Sequence, residues 1–500
     1  MIGRGAFRGP AIPGPGARAT ALVGALTLER GASLLAGAAL MLAFPRPGLG
    51  WLAWIVLVPG MMLIRSAPTV REAALRGWWF GAGFLLAALY WTLPNIGPGL
   101  LLVAIVFGLP WAVWGALIRW LVPAHPLAAL IVVPSAWLVI ELLRSWPRLG
   151  GPWALLGASQ WRYPPMLGLA ALGGVWLISF AIVAFNTALL LALVAPRLRM
   201  RLAAPALAIL LAGPASYMLA DEPPADRTLT VALVQPGVVH DRDERLAASE
   251  RITAALPPAD LIVWGESSVG HDLARRPDLT ARLSALTPRG HLLVNEDARD
   301  ATGRISKSSI LISPAGIQDR YVKTRLVPFG EYIPFRDAIG WLSRISAAAA
   351  ENRVPGTGAG VMQTGDVTIG PLVCFESAFP DLGRAVVERG AQVIVYQSAT
   401  STFQESWAPP QHAALAAVRA AETGRPTVQA ALTGVSAAFD ARGRRLAWMD
   451  TDRRGSLVTT LRVPPQSSRT PYDRFGDHIP YLAVAVTLTA VLAGARRRFR

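Results

Sequence analysis

A chain of 500 residues is longer than one ordinary core and is read as two domains. Its residues are 53% hydrophobic and only 16% charged, against about a quarter charged in soluble chains, which excludes a wholly water-soluble fold. The net charge of +16 would suit nucleic acid, but the arginines are scattered or flank apolar runs, so no nucleic-acid partner is expected.

Residues 1–18 are rich in Gly, Pro and Arg without apolar periodicity and are expected to form a disordered basic tail. The following stretch carries Glu29-Arg30 and no obvious small-residue cleavage site, which argues against a simple signal peptide. Crossing the hydrocarbon takes about 20 apolar residues, and such runs lie at roughly 22–44, 50–65, 77–95, 99–121, 127–143, 166–195, 202–219 and 479–495. The expectation is a transmembrane helical bundle of about eight spans, about seven of them within residues 19–220. Many of the 17 tryptophans sit at the ends of these runs, where the ring is buried and its N–H stays wet.

Arginine flanks set the orientation. The clusters Arg4, Arg8 and Arg18, Arg65, Arg71 and Arg76, Arg119, Arg197, Arg199 and Arg201, and the C-terminal Arg496-Arg497-Arg498 and Arg500 fall on one side of such a bundle. Arg46, Arg144, Arg148 and Arg162 fall on the other. The bias puts both termini in the cytoplasm and residues 221–478 outside it; residues 479–500 are read as a last span and basic tail.

Residues 221–478 hold most of the Asp and Glu. Short β-rich runs, Leu229–Gln235, Leu261–Trp264, His291–Val294, Ser309–Ile312, Gly370–Phe375, Val393–Tyr396, Thr427–Ala431 and Ser436–Asp440, alternate with helical stretches at 242–256, 379–389 and 410–423. Buried strands flanked by helices predict a layered α/β sandwich.

Three residues in this region could do chemistry together. Cys374, the sole cysteine, ends an apolar strand and is followed by Phe-Glu-Ser, which would present a nucleophile at a sheet edge; most free cysteines are instead buried packing groups. Glu266 ends Leu-Ile-Val-Trp-Gly-Glu, where apolar walls can make a carboxylate a general base, although a solvated loop glutamate would look the same. Of the 48 basic side chains all but Lys307 and Lys323 are arginine. A lysine can lose its proton where an arginine cannot, and an ammonium beside a thiolate favours the charged sulfur and a developing oxyanion. Lys323 sits in Tyr-Val-Lys-Thr-Arg-Leu-Val-Pro-Phe-Gly-Glu-Tyr-Ile-Pro-Phe, which also contains Glu331. No metal cluster, P-loop or dinucleotide fingerprint is present, and no cofactor is expected.

In that order and context, Glu266, Lys323 and Cys374 resemble the Glu–Lys–Cys triad of the nitrilase superfamily, which implies an αββα sandwich. The segment Lys323–Phe335 is narrower and resembles the apolipoprotein N-acyltransferase family. So do Glu141-Leu-Leu-Arg-Ser-Trp with Gly151-Pro152-Trp153 and Ser159-Gln160, and the stretch Gln411–Pro426 with Arg419, Glu422, Gly424 and Arg425. The sequence departs from the family at Phe375, at Gly265 before the base, and over Gln397–Phe403. The resemblance implies a bacterial inner-membrane enzyme that moves an acyl chain from a phospholipid to the N-terminal amine of a diacylated apolipoprotein. Glu266 would be the base, Lys323 the oxyanion partner and Cys374 the nucleophile, with Glu331 and Glu376 in support. A membrane-tethered amidase-like hydrolase would use the same triad, and a non-catalytic scaffold would keep the spans without needing it.

Overall fold

The computed structural model describes residues 15–149, 151–299, 303–328, 330–333 and 353–498. The first half is helical from Pro15–Ala38, which begins inside the stretch read as a tail, to Arg199–Leu219. Among the described residues five helices are long and apolar enough to cross a membrane: Leu26–Ala43, Gly99–Ala124, Pro126–Arg144, Pro164–Val194 and Pro196–Leu219. The expected count of about eight is not reproduced by that measure, because Gly50–Arg65 and His478–Gly494 are shorter apolar helices. The helix Val70–Leu89, over the run read at 77–95, carries Arg71, Glu72 and Arg76 in its first two turns. These charges answer the polar Glu29-Arg30 pair. Arg30 Nη2 lies 2.7 Å from Glu72 Oε2, and Arg76 bridges Glu72 at 3.3 Å and Glu29 at 3.4 Å. Charges in an apolar bundle persist when they are paired in this way.

Pro164–Val194 is not one straight span. Gly173 and Gly174 leave helical geometry, and Gly174 takes φ +69° against the ring of Tyr472. The backbone N–H of Val175, freed by the break, donates to Glu422 Oε1 at 2.7 Å. A carboxylate at a helix start satisfies an orphan donor and the helix dipole together.

Among its described residues the second half contains twelve strands: β1 Arg227–Gln235, β2 Leu261–Trp264, β3 His291–Arg299, β4 Ile305–Ser313, β5 Gly316–Val322, β6 Met362–Thr364, β7 Val367–Val373, β8 Val393–Ser398, β9 Thr427–Ala431, β10 Ser436–Phe439, β11 Arg445–Met449 and β12 Gly455–Val463. They form two six-stranded sheets, in the orders β12-β1-β2-β3-β4-β5 and β11-β10-β9-β8-β7-β6. The central pairs β1–β2, β2–β3, β7–β8 and β8–β9 are parallel, and the outer pairs are antiparallel.

Alternation along a strand sends successive side chains to opposite faces. Val231 and Leu233 of β1 and Val263 of β2 point into the core shared with Ile369, Val373 and Val395 of the other sheet. Ala232, Val234, Ile262 and Trp264 face outward under Leu246, Leu279 and Leu283 of helices Arg242–Ala254 and Pro277–Ala285. Helices Pro380–Glu388 and Ala408–Thr423 cover the second sheet, giving an αββα sandwich. Gln397 ties the sheets, donating to the carbonyls of Trp264 at 2.8 Å and Leu293 at 3.2 Å.

The two halves meet along aromatic and polar contacts. Trp161 stacks on Trp448 at 5.2 Å, Trp91 meets Phe403 edge-on at 4.7 Å, and Trp407 N–H donates to the Tyr90 hydroxyl at 2.9 Å.

Candidate active site

Strand β7 ends at Val373, one residue short of the cysteine, and the chain turns at once into a short 3-10 helix, Cys374–Ala378. Cys374 sits at the turn with φ +52°. A non-glycine residue in that region costs about 1–3 kcal/mol and is kept where the surroundings enforce it. The carboxylate of Glu376, two residues on, does much of the enforcing. It accepts from Val373 N–H at 2.7 Å, Thr324 N–H at 2.7 Å, Arg325 N–H at 2.9 Å, the Thr324 hydroxyl at 2.9 Å and the Tyr321 hydroxyl at 2.9 Å. One fully buried side chain therefore clamps the cysteine turn to the segment that carries Lys323. Burial pushes its carboxyl above the ordinary range, and the backbone donors work against that.

The structure brings Glu266, Lys323 and Cys374 together. Glu266 follows β2, and its backbone N–H donates to Ser398 O at 3.1 Å, while Ala399 N–H donates to its Oε2 at 3.1 Å. Lys323 follows β5. Its Nζ lies 2.9 Å from Glu331 Oε1 and 3.4 Å from Glu266 Oε1. The Cys374 thiol lies near enough to Glu266 and Lys323 for both charges to act on it. Glu331 also accepts from Val327 N–H at 2.9 Å and pairs with Arg353 at 3.0 Å, so it is a hub behind Lys323.

The electrostatics follow from burial and pairing. Burial raises the Glu266 carboxyl, but Lys307 and then Lys323 outweigh it and hold the group well below the usual carboxylate range. Burial lowers the Lys323 ammonium, yet Glu331 and Glu266 reverse this and keep it charged. Burial, reinforced by the Glu266 charge and opposed by Lys323, pushes the Cys374 thiol up to about 12. The resting site thus holds a neutral thiol beside an ionised carboxylate.

Lys307, the second lysine, stands outside the Glu–Lys–Cys pattern. It lies on β4 with its Nζ 2.9 Å from Glu266 Oε1 and 2.6 Å from Ser267 Oγ. The one sequence signal is rarity: only two lysines occur in an arginine-rich chain, and both lie against Glu266.

A cavity of about 610 Å³ opens from Cys374, Glu266 and Lys307 and continues between Leu85, Val103 and Phe107 of the helical half. The membrane motif builds its floor. Glu141 accepts from Trp137 Nε1 at 3.0 Å and Leu156 N–H at 2.7 Å, and Arg144 donates to Trp153 O at 2.6 Å. Gly151, at φ +84°, lies so close to the nucleophile loop that an added Cβ would stand 2.7 Å from Phe375 and 2.8 Å from Phe379. The phenylalanine after the cysteine is therefore part of the joint between the halves. Gln397 and Phe403, in the other divergent stretch, bridge the sheets and pack on Trp91.

Residues 36–188 match the model of the apolipoprotein N-acyltransferase N-terminal domain, and residues 230–468 match that of carbon-nitrogen hydrolase. An apolipoprotein N-acyltransferase of Pseudomonas putida is 31% identical over 495 residues, covering 92% of this chain and 96% of that one. One of Azotobacter vinelandii is 31% identical with 89% and 90% covered, and one of Geobacter metallireducens is 29% identical with 93% and 95% covered. With both halves matched and the alignments running nearly end to end, the chain belongs to the apolipoprotein N-acyltransferase family.

Proposed function

We propose that this protein transfers an acyl chain from a membrane phospholipid to the α-amine of an N-terminal diacylglyceryl-cysteine in apolipoproteins, through a thioester on Cys374. The observation that carries this reading is the single cavity that joins Cys374 and Glu266 to apolar side chains of the membrane half, Leu85, Val103 and Phe107. A soluble amide needs no such wall; an acyl chain does.

In the first half-reaction Glu266 takes the thiol proton and the sulfur attacks the donor ester carbonyl. The oxyanion forms against Lys323 and a backbone N–H, a kind of stabilisation worth several kcal/mol. The C–O bond breaks, the leaving alkoxide takes the proton from Glu266, and a lysophospholipid departs. In the second half the neutral amine attacks the thioester and passes its proton to Glu266. The C–S bond breaks and the thiolate is reprotonated, leaving an amide. Glu331 holds Lys323 in place and Glu376 holds the cysteine turn.

A bacterial inner-membrane location with the α/β domain on the extracytoplasmic face fits the arginine distribution. It also fits the substrate, whose N-terminal cysteine is freed after export. The test is mass spectrometry. Purified protein given phospholipid gains one acyl mass on the peptide containing Cys374, and lipoproteins from cells lacking the protein lose the N-acyl group. Normal turnover by Cys374→Ala would overturn the assignment.

A further inference from the structure

Glu266 is buried, and a buried carboxylate stays ionised only if it is well paired. Lys323, the lysine of the triad motif, is not its closest partner. Lys323 reaches Glu331 at 2.9 Å and Glu266 only at 3.4 Å. The closer ammonium is Lys307, at 2.9 Å from the same oxygen. We propose that Lys307 is the principal counter-ion of Glu266, a positioning residue that keeps the base ionised and so sets the acid limit of acyl-enzyme formation. The inference rests on the reading of Glu266 as the base.

Three features fix Lys307 in that role. It stands opposite Asp297 in the β3–β4 register, and Asp297 Oδ1 lies 3.6 Å from its Nζ. Its Nζ donates to the hydroxyl of Ser267, the residue after the base, at 2.6 Å. Ser267 is itself held at φ +56° with its N–H on Asn295 Oδ1 at 2.9 Å. Finally, the Lys323 backbone N–H donates to the Lys307 carbonyl at 2.9 Å, so the two lysines are fixed relative to each other.

The charged groups around the base divide accordingly. Lys307 comes from β4, backed by Asp297 of β3. Lys323 follows β5, backed by Glu331 and Arg353. Cys374 approaches from the turn after β7, His412 from helix Ala408–Thr423, and Arg245 from helix Arg242–Ala254 across the cavity. The Cys374 charge acts on Lys323, whereas the acids that act on Lys307 are Asp297 and Glu266. Lys307 is the stronger of the two lysines in holding Glu266 down. Lys323 is thereby left to the sulfur and to the carbonyl oxygen beside it, on which the oxyanion develops.

The experiment follows acyl-enzyme formation on the full-length protein in detergent micelles with phospholipid, read as lysophospholipid release and intact mass from about pH 4 to pH 8. The wild-type rate shows no carboxylate inflection in that range, because Glu266 titrates below it. In Lys307→Gln the carboxyl rises, so the base is protonated as pH falls. That variant at pH 5 is slower than at pH 8 by about 10-fold or more, the slope expected of one essential base. Lys307→Arg restores the flat profile. Asp297→Asn, which leaves the ammonium on Glu266, is flat as well. Equal loss at both pH values in Lys307→Gln, an unchanged profile, or an acid limb in Asp297→Asn would each overturn the proposal. Failure of the underlying reading looks different: Glu266→Gln would retain wild-type turnover.

Discussion

Replacing Glu266 by glutamine moves the chemical reactivity of Cys374 and its catalytic use in opposite directions. In the resting site the thiol is pushed up to about 12, by burial first and by the Glu266 charge second, with Lys323 opposing. Glutamine keeps the shape and removes the charge. Two unit charges about 4 Å apart interact by about 4 kcal/mol at an effective dielectric constant of about 20. A pKa moves one unit per about 1.4 kcal/mol, so losing even part of such an interaction brings the thiol down. Only the thiolate is alkylated, and iodoacetamide modification at pH 8 therefore speeds up by about 10-fold or more, the larger thiolate fraction being partly offset by the weaker nucleophilicity of a less basic sulfur. Acyl-enzyme formation falls by about 100-fold or more over the same change, since the proton acceptor is gone. Cys374 is the only cysteine, so intact mass reads the alkylation without mapping. In the wild type that rate climbs about tenfold per pH unit between about pH 8 and 11, because the thiol still titrates above this range. In the variant the climb levels off earlier. Alkylation that slows or stays unchanged in Glu266→Gln would refute the electrostatic account of the site.

Lys323→Arg keeps the charge but not the compact geometry; with Glu331 at 2.9 Å and no exposed surface around it, a guanidinium displaces the oxyanion donor and costs about 100-fold in single-turnover rate. Topology is read by labelling in the Cys374→Ala background. A cysteine at Asp226 reacts with an impermeant maleimide in intact spheroplasts, and one at Arg498 reacts only after lysis. The reverse pattern would place the α/β domain in the cytoplasm and remove the lipoprotein substrate.

What was legible in the sequence follows burial. The eight strands anticipated are β1–β4 and β7–β10, the inner strands of both sheets. The four not anticipated, β5, β6, β11 and β12, are the four sheet edges. An inner strand of a sandwich is apolar on both faces and reads as a run of Val, Ile and Leu. An edge strand is half solvated: the central residues of Gly316-Ile-Gln-Asp-Arg-Tyr-Val are exposed, and Gly455–Val463 alternates between exposed and half-buried over most of its length. Charged and polar edges also discourage pairing with other chains, so the pattern that protects them hides them.

Glu266, Lys323 and Cys374 stood out in the sequence because each sits just beyond a strand, where apolar patterning stops. Lys307 did not, because it lies inside β4, between buried Ile305 and Ser308, where a lysine reads as an intrusion into a strand. Its role depends on Glu266, 41 residues earlier in the chain, and only the β2–β3–β4 order brings the two together. The break in Pro164–Val194 was written as Gly173-Gly174, but hydropathy averages across a pair of glycines and reads one span.

The nitrilase-like triad alone cannot decide whether amine or water takes the acyl group, because the same base serves either nucleophile. The choice lies in the walls around the thioester. A thioester shielded from water survives until a better nucleophile arrives, and here the shield is built by residues from both halves. Trp91 packs between Trp153 at 5.0 Å and Phe403 at 4.7 Å. Phe375 and Phe379, edge to face at 5.2 Å, close on Gly151, where no side chain would fit. Arg144 and Glu141 hold the Gly-Pro-Trp loop beneath them from within a membrane helix. The membrane helices are therefore more than an anchor for a soluble enzyme. They supply one side of the cavity at Cys374, and with it an apolar wall that can shield a thioester from water.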